Sequence, residues 1–300
     1  MKDNKLEGVF LPVTTPFDRA TGEIAPISFR DNLRAWLDTG VHGFVVAGST
    51  GEAPLLDEGE VVQLVEWARD IVPAENTLIA GTGAESTRAT VRAARAVADV
   101  GADAVLVRSP SYYRARMDAD TVRRHFEDVA DSVPIPVILY NVPQFVPVDI
   151  TPGLFAELGS HPNVAGIKDS TGDLKVIGAL LDAAPADCQV LVGAGSKLYA
   201  ALEMGAAGGI VAVGCIAPRV TLQVYEQFRA DELGPAGAAQ SKISSPHTKI
   251  VCDMGVAGVK YALDLVGYAG GDPRLPLRPL SEKGQREVRE ELKRAGLLNP

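Results

Sequence analysis

Eight short apolar runs recur along this 300-residue chain, and most of them are followed within two residues by Gly, Ser or Thr. They are almost continuously hydrophobic and lack the polar alternation of a strand with one solvated face. This pattern is typical of parallel strands that are covered on both sides. The eight runs span residues 8–13, 43–47, 77–80, 104–107, 136–140, 164–168, 189–192 and 209–213.

Segments with helical periodicity separate the runs, so the chain alternates between strand and helix. The predicted helices span residues 28–39, 57–72, 86–100, 118–132, 152–158, 173–183, 197–204 and 219–230. Expected N-cap residues and helix-ending glycines support these boundaries. They are Ser28, Asp57 and Ser86 for the starts, and Gly40, Gly101 and Gly205 for the ends.

Eight strand–helix units predict an α/β fold of the TIM (β/α)₈ barrel type. We assign the catalytic barrel to residues 1–233 and a helical extension, packed on the barrel as part of one structural unit, to residues 234–300. Helices are expected at 256–265 and 281–294 in the extension. The alternative is an open doubly wound sheet, whose reversal of strand order a single sequence does not display.

Composition narrows the functions open to such a chain. The chain has 29 Lys and Arg residues and 38 Asp and Glu residues. The resulting net charge of −9 argues against a nucleic-acid partner. The three cysteines and four histidines show no metal-ligand or catalytic-dyad spacing. No segment has the pattern of a signal peptide or a membrane span, so we expect a cytoplasmic protein without a membrane partner.

Lys168 is the most informative polar residue at a strand end, where barrel active sites are built. It closes the apolar run 164–168, and we expect its amine to reach the barrel mouth through an apolar collar. Desolvation disfavours the charged form of a lysine, and a neutral amine can attack a ketone. Alternatively, Lys168 extends into water or pairs with Asp169. Lys197 begins a helix and Lys260 lies in the extension, so both are weaker candidates.

Hydroxyl groups at two other strand ends could assist such an amine. Tyr140 closes the run before Lys168, and its hydroxyl could move protons during imine formation and bond cleavage. Ser49 and Thr50 precede Gly51 and a predicted helix, and they offer two hydroxyls and consecutive N–H groups suited to a carboxylate. Packing of Tyr140, and a simple turn with a helix cap at Ser49 and Thr50, are the alternative interpretations.

The glycine-rich segments 81–83 and 193–197 leave a rival interpretation open. Neither has the spacing of a dinucleotide or phosphate loop. Many barrels nevertheless hold phosphate after the seventh and eighth strands, so a phosphosugar or flavin enzyme is an alternative. A sensor that binds a keto acid without turnover is a further alternative.

Three motifs resemble the pyruvate-dependent aldolases, the family that includes dihydrodipicolinate synthase, N-acetylneuraminate lyase and 4-hydroxy-2-oxoglutarate aldolase. They stand in family order and at family spacing, and the resemblance spans nearly the whole chain. The motifs are GSTGE at 48–52, YNVP at 140–143 and GIKDS at 166–170.

The resemblance implies a class I aldolase in which Lys168 forms a Schiff base with pyruvate, so that no metal or organic cofactor is required. It implies that Ser49 and Thr50 hold the pyruvate carboxylate and that Tyr140 is the proton shuttle. We also assign Gly193 and Ile210 to substrate binding. In the family, the hydroxyl corresponding to Ser49 links that tyrosine to a second tyrosine from a neighbouring subunit.

The second tyrosine is here identified as Tyr112, with Tyr113 as the alternative. A tyrosine supplied by another subunit implies a homo-oligomer. The resemblance implies a tetramer assembled as a dimer of dimers, which binds pyruvate and an aldehyde or 2-keto acid.

One departure bears on the second substrate. Dihydrodipicolinate synthases carry an arginine two positions beyond the proline of the YNVP loop, where this chain has Phe145. A phenyl ring cannot make a bidentate carboxylate contact, although Arg114 or Arg116 could substitute from another loop.

Three other segments, 111–117, 161–163 and 267–271, are similar to 4-hydroxy-2-oxoglutarate aldolase. The expected reaction is therefore reversible cleavage of 4-hydroxy-2-oxoglutarate to pyruvate and glyoxylate, with Arg114 or Arg116 holding the distal carboxylate. Dihydrodipicolinate synthesis and a sugar-acid aldolase or dehydratase are the alternatives within the family.

Overall fold

Eight parallel strands close into a barrel in a computed structural model that describes residues 6–298. Each strand pairs with its neighbours in chain order, and β8 pairs with β1. The predicted (β/α)₈ barrel is therefore confirmed. The strands are β1 (Gly8–Pro12), β2 (Gly43–Val46), β3 (Thr77–Gly81), β4 (Ala104–Arg108), β5 (Val137–Asn141), β6 (Val164–Asp169), β7 (Gln189–Val192) and β8 (Gly208–Ile210).

Helices follow the strands around the outside of the barrel. They are α1 (Pro26–Leu37), α2 (Glu58–Arg69), α3 (Thr87–Asp99), α4 (Ala119–Ser132), α5 (Pro152–Gly159), α6 (Leu174–Ala183), α7 (Leu198–Glu203), α8 (Val213–Ile216) and α9 (Pro218–Arg229). Asp57 and Glu60 form a capping box at α2, and Ser86 caps α3 by accepting from Ala89 N. The expected cap at Ser28 is wrong, because α1 already begins at Pro26, which is suited to a first turn.

The three predicted helix-ending glycines adopt the left-handed conformation that this position requires. Gly40, Gly101 and Gly205 have φ angles of 88°, 99° and 104°. A residue with a Cβ is strained in this region, so glycine ends these helices at low cost.

The eighth apolar run contains two elements rather than one strand. β8 ends at Ile210, and Val213 belongs to the short helix α8 instead of the predicted strand. All four residues of α8 are buried, and the Trp36 indole N–H donates to Cys215 O. An apolar run that continues into a buried helix carries no periodicity to mark the change.

The region beyond the barrel contains more helix than expected. Its helices comprise α10 (Leu233–Pro246), a π-helical segment (His247–Cys252), α11 (Asp253–Val266) and α12 (Glu282–Arg294), which Ser281 caps. Both α10 and the π-helical segment were missing from the sequence prediction. α10 is rich in Gly, Ala and Ser and contains two prolines, so its sequence lacks a clear apolar stripe although it packs against α9.

Two further observations apply to residues 6–298. Within this range no helix is long and apolar enough to cross a membrane. Over the same part of the chain, no cluster of three or more His, Cys, Asp or Glu residues is arranged to hold a metal ion.

Candidate active site

Lys168 and Tyr140 lie side by side near the carboxyl end of the barrel. The register of β5 and β6 pairs their Cα atoms, which sets both residues at the same height. Lys168 Nζ lies 4.3 Å from the centroid of the Tyr140 ring, and the two residues are 5% and 8% exposed. The amine therefore lies against an aromatic face and is largely shielded from solvent.

Asp169 does not pair with Lys168 but belongs to a separate hydrogen-bond network. Its carboxylate accepts from Asn141 Nδ2 at 2.8 Å and from the Thr171 hydroxyl at 2.5 Å. Burial raises the pKa of Asp169, and these hydrogen bonds oppose the rise. The alternative in which Asp169 neutralises the amine is thus not observed.

The turn after β2 presents its hydroxyls to the same place. Ser49 Oγ and the Tyr140 hydroxyl lie 3.3 Å apart, close enough for a hydrogen bond that either group could donate. Thr15 Oγ1 donates to Gly51 O at 2.7 Å, which ties the turn to the loop after β1. A proton can therefore pass between Tyr140 and Ser49 without a large movement of either group.

A cavity of about 380 Å³ opens above these residues, a size suited to a small-molecule substrate. Its walls combine the strand-end residues with side chains of the C-terminal helices. The lining residues of the barrel include Ser49, Thr50, Tyr140, Phe145, Lys168, Gly193 and Ile210.

Gly193 and Ile210 line the cavity at the ends of β7 and β8. A Cβ on Gly193 would overlap Ser170 Oγ, so only glycine allows the two loops to approach this closely. Ile210 is fully buried at the end of β8 and supplies an apolar surface. Both residues therefore form part of the wall of the cavity that contains Lys168.

The roof of the cavity comes from residues that sequence reasoning missed. His247, Thr248, Val251 and Cys252 lie on the π-helical segment, and Val256 follows on α11. His247 Nε2 lies 3.4 Å from Cys252 Sγ, and burial lowers the pKa of His247 to about 4. The roof therefore carries a neutral imidazole. Only the position of Pro246 before His247 hinted at an irregular helix.

Phe145 stands at the rim of the cavity and is 69% exposed. It occupies the position where the resemblance leads us to expect an arginine. Among residues 6–298, the cavity lining includes no arginine.

Tyr112 and Tyr113 lie outside this cavity, on the loop after β4. They are 80% and 70% exposed, and their rings meet edge to face. Hydrogen bonds fix the loop, because Ser111 N and Tyr112 N both donate to the Glu85 carboxylate. Glu85 also pairs with Arg108. Two exposed aromatic rings on a fixed loop are suited to contact with another protein surface.

Arg114 and Arg116 follow on the same loop, in a short 3₁₀ turn (Arg114–Arg116). Both are exposed, and neither lines the cavity that contains Lys168. Their assignment to the distal carboxylate therefore stays a prediction.

The two other candidate lysines have different surroundings. Lys197 ends the 3₁₀ turn Gly195–Lys197 and does not line the cavity. Lys260 is fully buried, where its ammonium pairs with Glu52 at 2.5 Å and donates to Asp272 O at 2.9 Å. Sequence reasoning placed Lys260 away from the strand ends but did not predict its burial.

The glycine-rich segments after β7 and β8 serve close packing. A Cβ on Gly214 would lie 2.6 Å from Leu11 Cδ2, inside the buried turn that carries α8. Gly193 has the same role beside Ser170. Neither glycine needs a bound phosphate to explain it.

Comparison with known proteins identifies the relatives of this barrel. The model of the dihydrodipicolinate synthetase family matches residues 5–295. A 4-hydroxy-tetrahydrodipicolinate synthase of Methanospirillum hungatei is 35% identical over 96% of this chain and 99% of its own length. An uncharacterised DapA-like lyase of Halobacterium salinarum is 36% identical over 98% of this chain and 95% of its own length.

Solved structures agree with this assignment. The chloride-inhibited dihydrodipicolinate synthase from Acinetobacter baumannii, complexed with pyruvate, superposes with a TM-score of 0.91 at 32% identity. The match covers 97% of this chain and 99% of that one. A relative with the same barrel thus binds pyruvate.

Proposed function

The chain belongs to the dihydrodipicolinate synthetase family of pyruvate-dependent class I aldolases, which are carbon–carbon lyases, and we propose that its Lys168 forms the imine with pyruvate. The observation that carries the proposal is the position of Lys168 Nζ against Tyr140, in the cavity that Ser49 and Thr50 also line. The phosphate- or flavin-binding barrel is set aside, because the family match extends over residues 5–295.

In the proposed reaction, the neutral Lys168 amine attacks the ketone carbon and water leaves as the imine forms. For cleavage of a 4-hydroxy-2-keto acid, the C4 hydroxyl loses its proton and the bond between C3 and C4 breaks. The electron pair of that bond moves toward the protonated imine nitrogen and leaves an enamine. An aldehyde departs, C3 takes up a proton, and hydrolysis of the imine releases pyruvate.

Tyr140 is the proposed proton shuttle, with Ser49 as its hydrogen-bond partner. Ser49 and Thr50 are the proposed carboxylate-binding residues, because the turn that carries them offers hydroxyls and N–H groups next to the amine. Gly193 and Ile210, which line the same cavity, are further proposed substrate-binding residues. Tyr112, or alternatively Tyr113, would complete the hydroxyl relay from a neighbouring copy of the chain.

We propose 4-hydroxy-2-oxoglutarate as the first candidate substrate, with pyruvate and glyoxylate as its products. The similarity of segments 111–117, 161–163 and 267–271 to 4-hydroxy-2-oxoglutarate aldolase supports this choice, and Phe145 stands where a dihydrodipicolinate synthase is expected to carry an arginine. Arg114 and Arg116 share the exposed loop of Tyr112. If they hold the distal carboxylate, they do so across an interface between copies.

The second candidate is 4-hydroxy-tetrahydrodipicolinate synthesis, since this activity is the name of the Methanospirillum hungatei relative. A direct comparison separates the two candidates. Purified protein is assayed for pyruvate release from 4-hydroxy-2-oxoglutarate and for condensation of pyruvate with aspartate semialdehyde. We expect the first reaction to have the higher kcat/KM.

Two outcomes of this comparison would overturn the choice of substrate. Faster condensation with aspartate semialdehyde would assign the synthase activity instead. If neither reaction is observed but a sugar-derived 2-keto acid is turned over, the protein would be assigned as a sugar-acid aldolase or dehydratase. In both cases the imine at Lys168 would stand.

A further inference from the structure

The turn that carries Ser49 has a backbone conformation that needs external support. This turn, residues 48–53, is closed by hydrogen bonds from Gly51 N and Ala53 N to Gly48 O. The residues next to and within it, Ala47 and Glu52, have φ angles of 52° and 61°. Non-glycine residues adopt this left-handed region at a cost and keep it only where the surroundings hold them.

A buried ion pair supplies that support from the C-terminal extension. Glu52 Oε1 lies 2.5 Å from Lys260 Nζ, and both side chains have 0% exposure. Lys260 also donates to Asp272 O and lies 4.4 Å above the Phe17 ring. Burial lowers the pKa of Lys260, whereas the Glu52 carboxylate opposes that change.

The other carboxylate oxygen of Glu52 is held by the same extension. Arg274 N donates to Glu52 Oε2 at 2.8 Å. The Arg274 guanidinium makes a bidentate contact with Glu60 and donates to Leu55 O at 2.8 Å. The extension thus contacts the turn at Glu52 and contacts the chain again just beyond it, at Leu55 and the first turn of α2.

We propose that Glu52 and Lys260 are positioning residues for pyruvate, which hold Ser49 and Thr50 in the orientation that receives its carboxylate. This inference rests on the proposed function, because it concerns how the same site binds the same substrate. Arg274 supports the far end of the segment. None of the three side chains lines the cavity, so each acts through the turn rather than on the substrate.

The physical reason lies in what a buried ion pair contributes. Removing two charges from water costs about as much as their attraction returns, so such a pair is weak evidence for a gain in stability. Its two hydrogen-bonded ends nevertheless define one geometry. Where binding depends on hydroxyls and N–H groups placed within about 0.5 Å, a defined geometry affects affinity directly.

The test compares two ketones that differ in charge. Imine formation is followed by borohydride trapping and intact mass over a range of pyruvate or pyruvamide concentrations, with the wild type and with Lys260→Met and Glu52→Gln. We expect the half-saturating pyruvate concentration to rise about tenfold in both variants, as for loss of one oriented charged contact. The value for pyruvamide should change less than about twofold, because it lacks the carboxylate charge.

Matched variants separate positioning from loss of folding. Asn32→Ala removes the pair of hydrogen bonds between Asn32 and Ala269, which also link the barrel to the extension. These hydrogen bonds do not involve the turn that carries Ser49. We expect it to lower the melting temperature but to leave the pyruvate response intact. The double variant Glu52→Gln/Lys260→Met buries no charge, so it should fold even where a single variant does not. It should still bind pyruvate more weakly than the wild type.

The remaining outcomes decide the proposal. Unchanged pyruvate saturation in folded Lys260→Met or in the double variant would overturn it, as would an equal loss for pyruvamide. If none of these variants folds, Arg274→Gln decides, since this side chain is partly exposed and its loss should raise half-saturating pyruvate about threefold. Absence of an imine on the wild type with either ketone would instead overturn the proposed function.

Discussion

At the scale of single residues, the site depends on one amine and one hydroxyl placed by neighbouring strands. The pairing of Tyr140 with Lys168 follows from the register of β5 and β6, and it places the amine 4.3 Å from the ring centroid. Asp169, the next residue along β6, contacts Asn141 and Thr171 instead. The alternation of side chains along a strand thus separates the candidate nucleophile from the nearest carboxylate.

The Tyr140 hydroxyl provides a test at this scale. Tyr140→Phe retains the ring that packs against Lys168 and removes only the proton-transfer group. We expect kcat to fall about 10²- to 10³-fold, with little change in the melting temperature, because proton transfer by a positioned group contributes gains of this order. Steady-state kinetics and thermal unfolding measure the two effects. A change in KM alone would show that Tyr140 binds substrate without moving protons.

Buried histidines make stability depend on pH. Burial lowers the pKa of His125 to about 4, and the same cause applies to His247. In the unfolded chain a histidine titrates near 6.5, so below that pH the unfolded state binds protons that the folded state does not. The stability that each histidine contributes is fully present above about pH 6.5 and is lost as the pH falls toward about 4.

Urea unfolding at about pH 7.5 and about pH 5 measures this loss. The free energy of unfolding should differ between the two pH values. His125→Asn should reduce this difference by on the order of 2 kcal/mol. The variant also weakens the contact of His125 with the Thr87 hydroxyl. The free energy of unfolding of the variant at the higher pH measures the cost of losing this contact, and that cost is subtracted. An equal pH dependence in the wild type and the variant would contradict the account.

At the scale of secondary-structure elements, the sequence predicted the barrel well. Every predicted strand and helix of the barrel has a counterpart whose ends lie within three residues, because buried parallel strands and capped helices leave strong local patterns. The identities of Lys168, Tyr140 and Ser49 as cavity residues also followed from their places at strand ends. Patterns that repeat along the chain were therefore readable from one sequence.

Sequence patterns did not predict the elements that form the roof of the cavity. α10 has no clear apolar stripe, and the π-helical segment His247–Cys252 has no sequence signature of its own. Their positions depend on tertiary packing, of α10 against α9 and of the π-helical segment against α12. The contact of Lys260 with Glu52 joins residues far apart in the chain, and local pattern does not reveal such contacts.

Two glycines provide a matched test of element packing. Gly193→Ala places a methyl group onto Ser170 Oγ between the ends of β6 and β7, and it should cost about 1–3 kcal/mol of stability by overpacking. Gly153→Ala lies in α5 with open space around it, and it should stabilise the protein by about 0.5–1 kcal/mol. Chemical denaturation measures both changes, and equal effects would contradict the packing argument.

At the scale of the whole molecule, the proposed hydroxyl relay requires more than one copy of the chain. Tyr112 and Tyr113 are exposed and lie outside their own cavity. Arg114 and Arg116 lie on the same loop. If a neighbouring copy receives this loop, one active site draws residues from two chains, as the homo-oligomer expected from the sequence requires.

Mixed oligomers test this arrangement. We expect Lys168→Ala protomers to be inactive alone and Tyr112→Phe protomers to be impaired alone. A hybrid of the two should regain activity, because one of its sites combines both intact residues. Differently tagged protomers are co-expressed, purified through both tags and assayed. The same experiment with Tyr113→Phe identifies which tyrosine crosses the interface. Failure of both hybrids to regain activity would show that each site is completed within one chain.

The proposed function depends on imine formation between Lys168 and pyruvate. The most direct measurement is the intact mass of the protein after incubation with pyruvate and borohydride, with Lys168→Ala treated in parallel. The account predicts a single reduced pyruvate adduct per chain on the native protein and none on the variant. A native protein without an adduct, or an adduct that persists in folded Lys168→Ala, would contradict it.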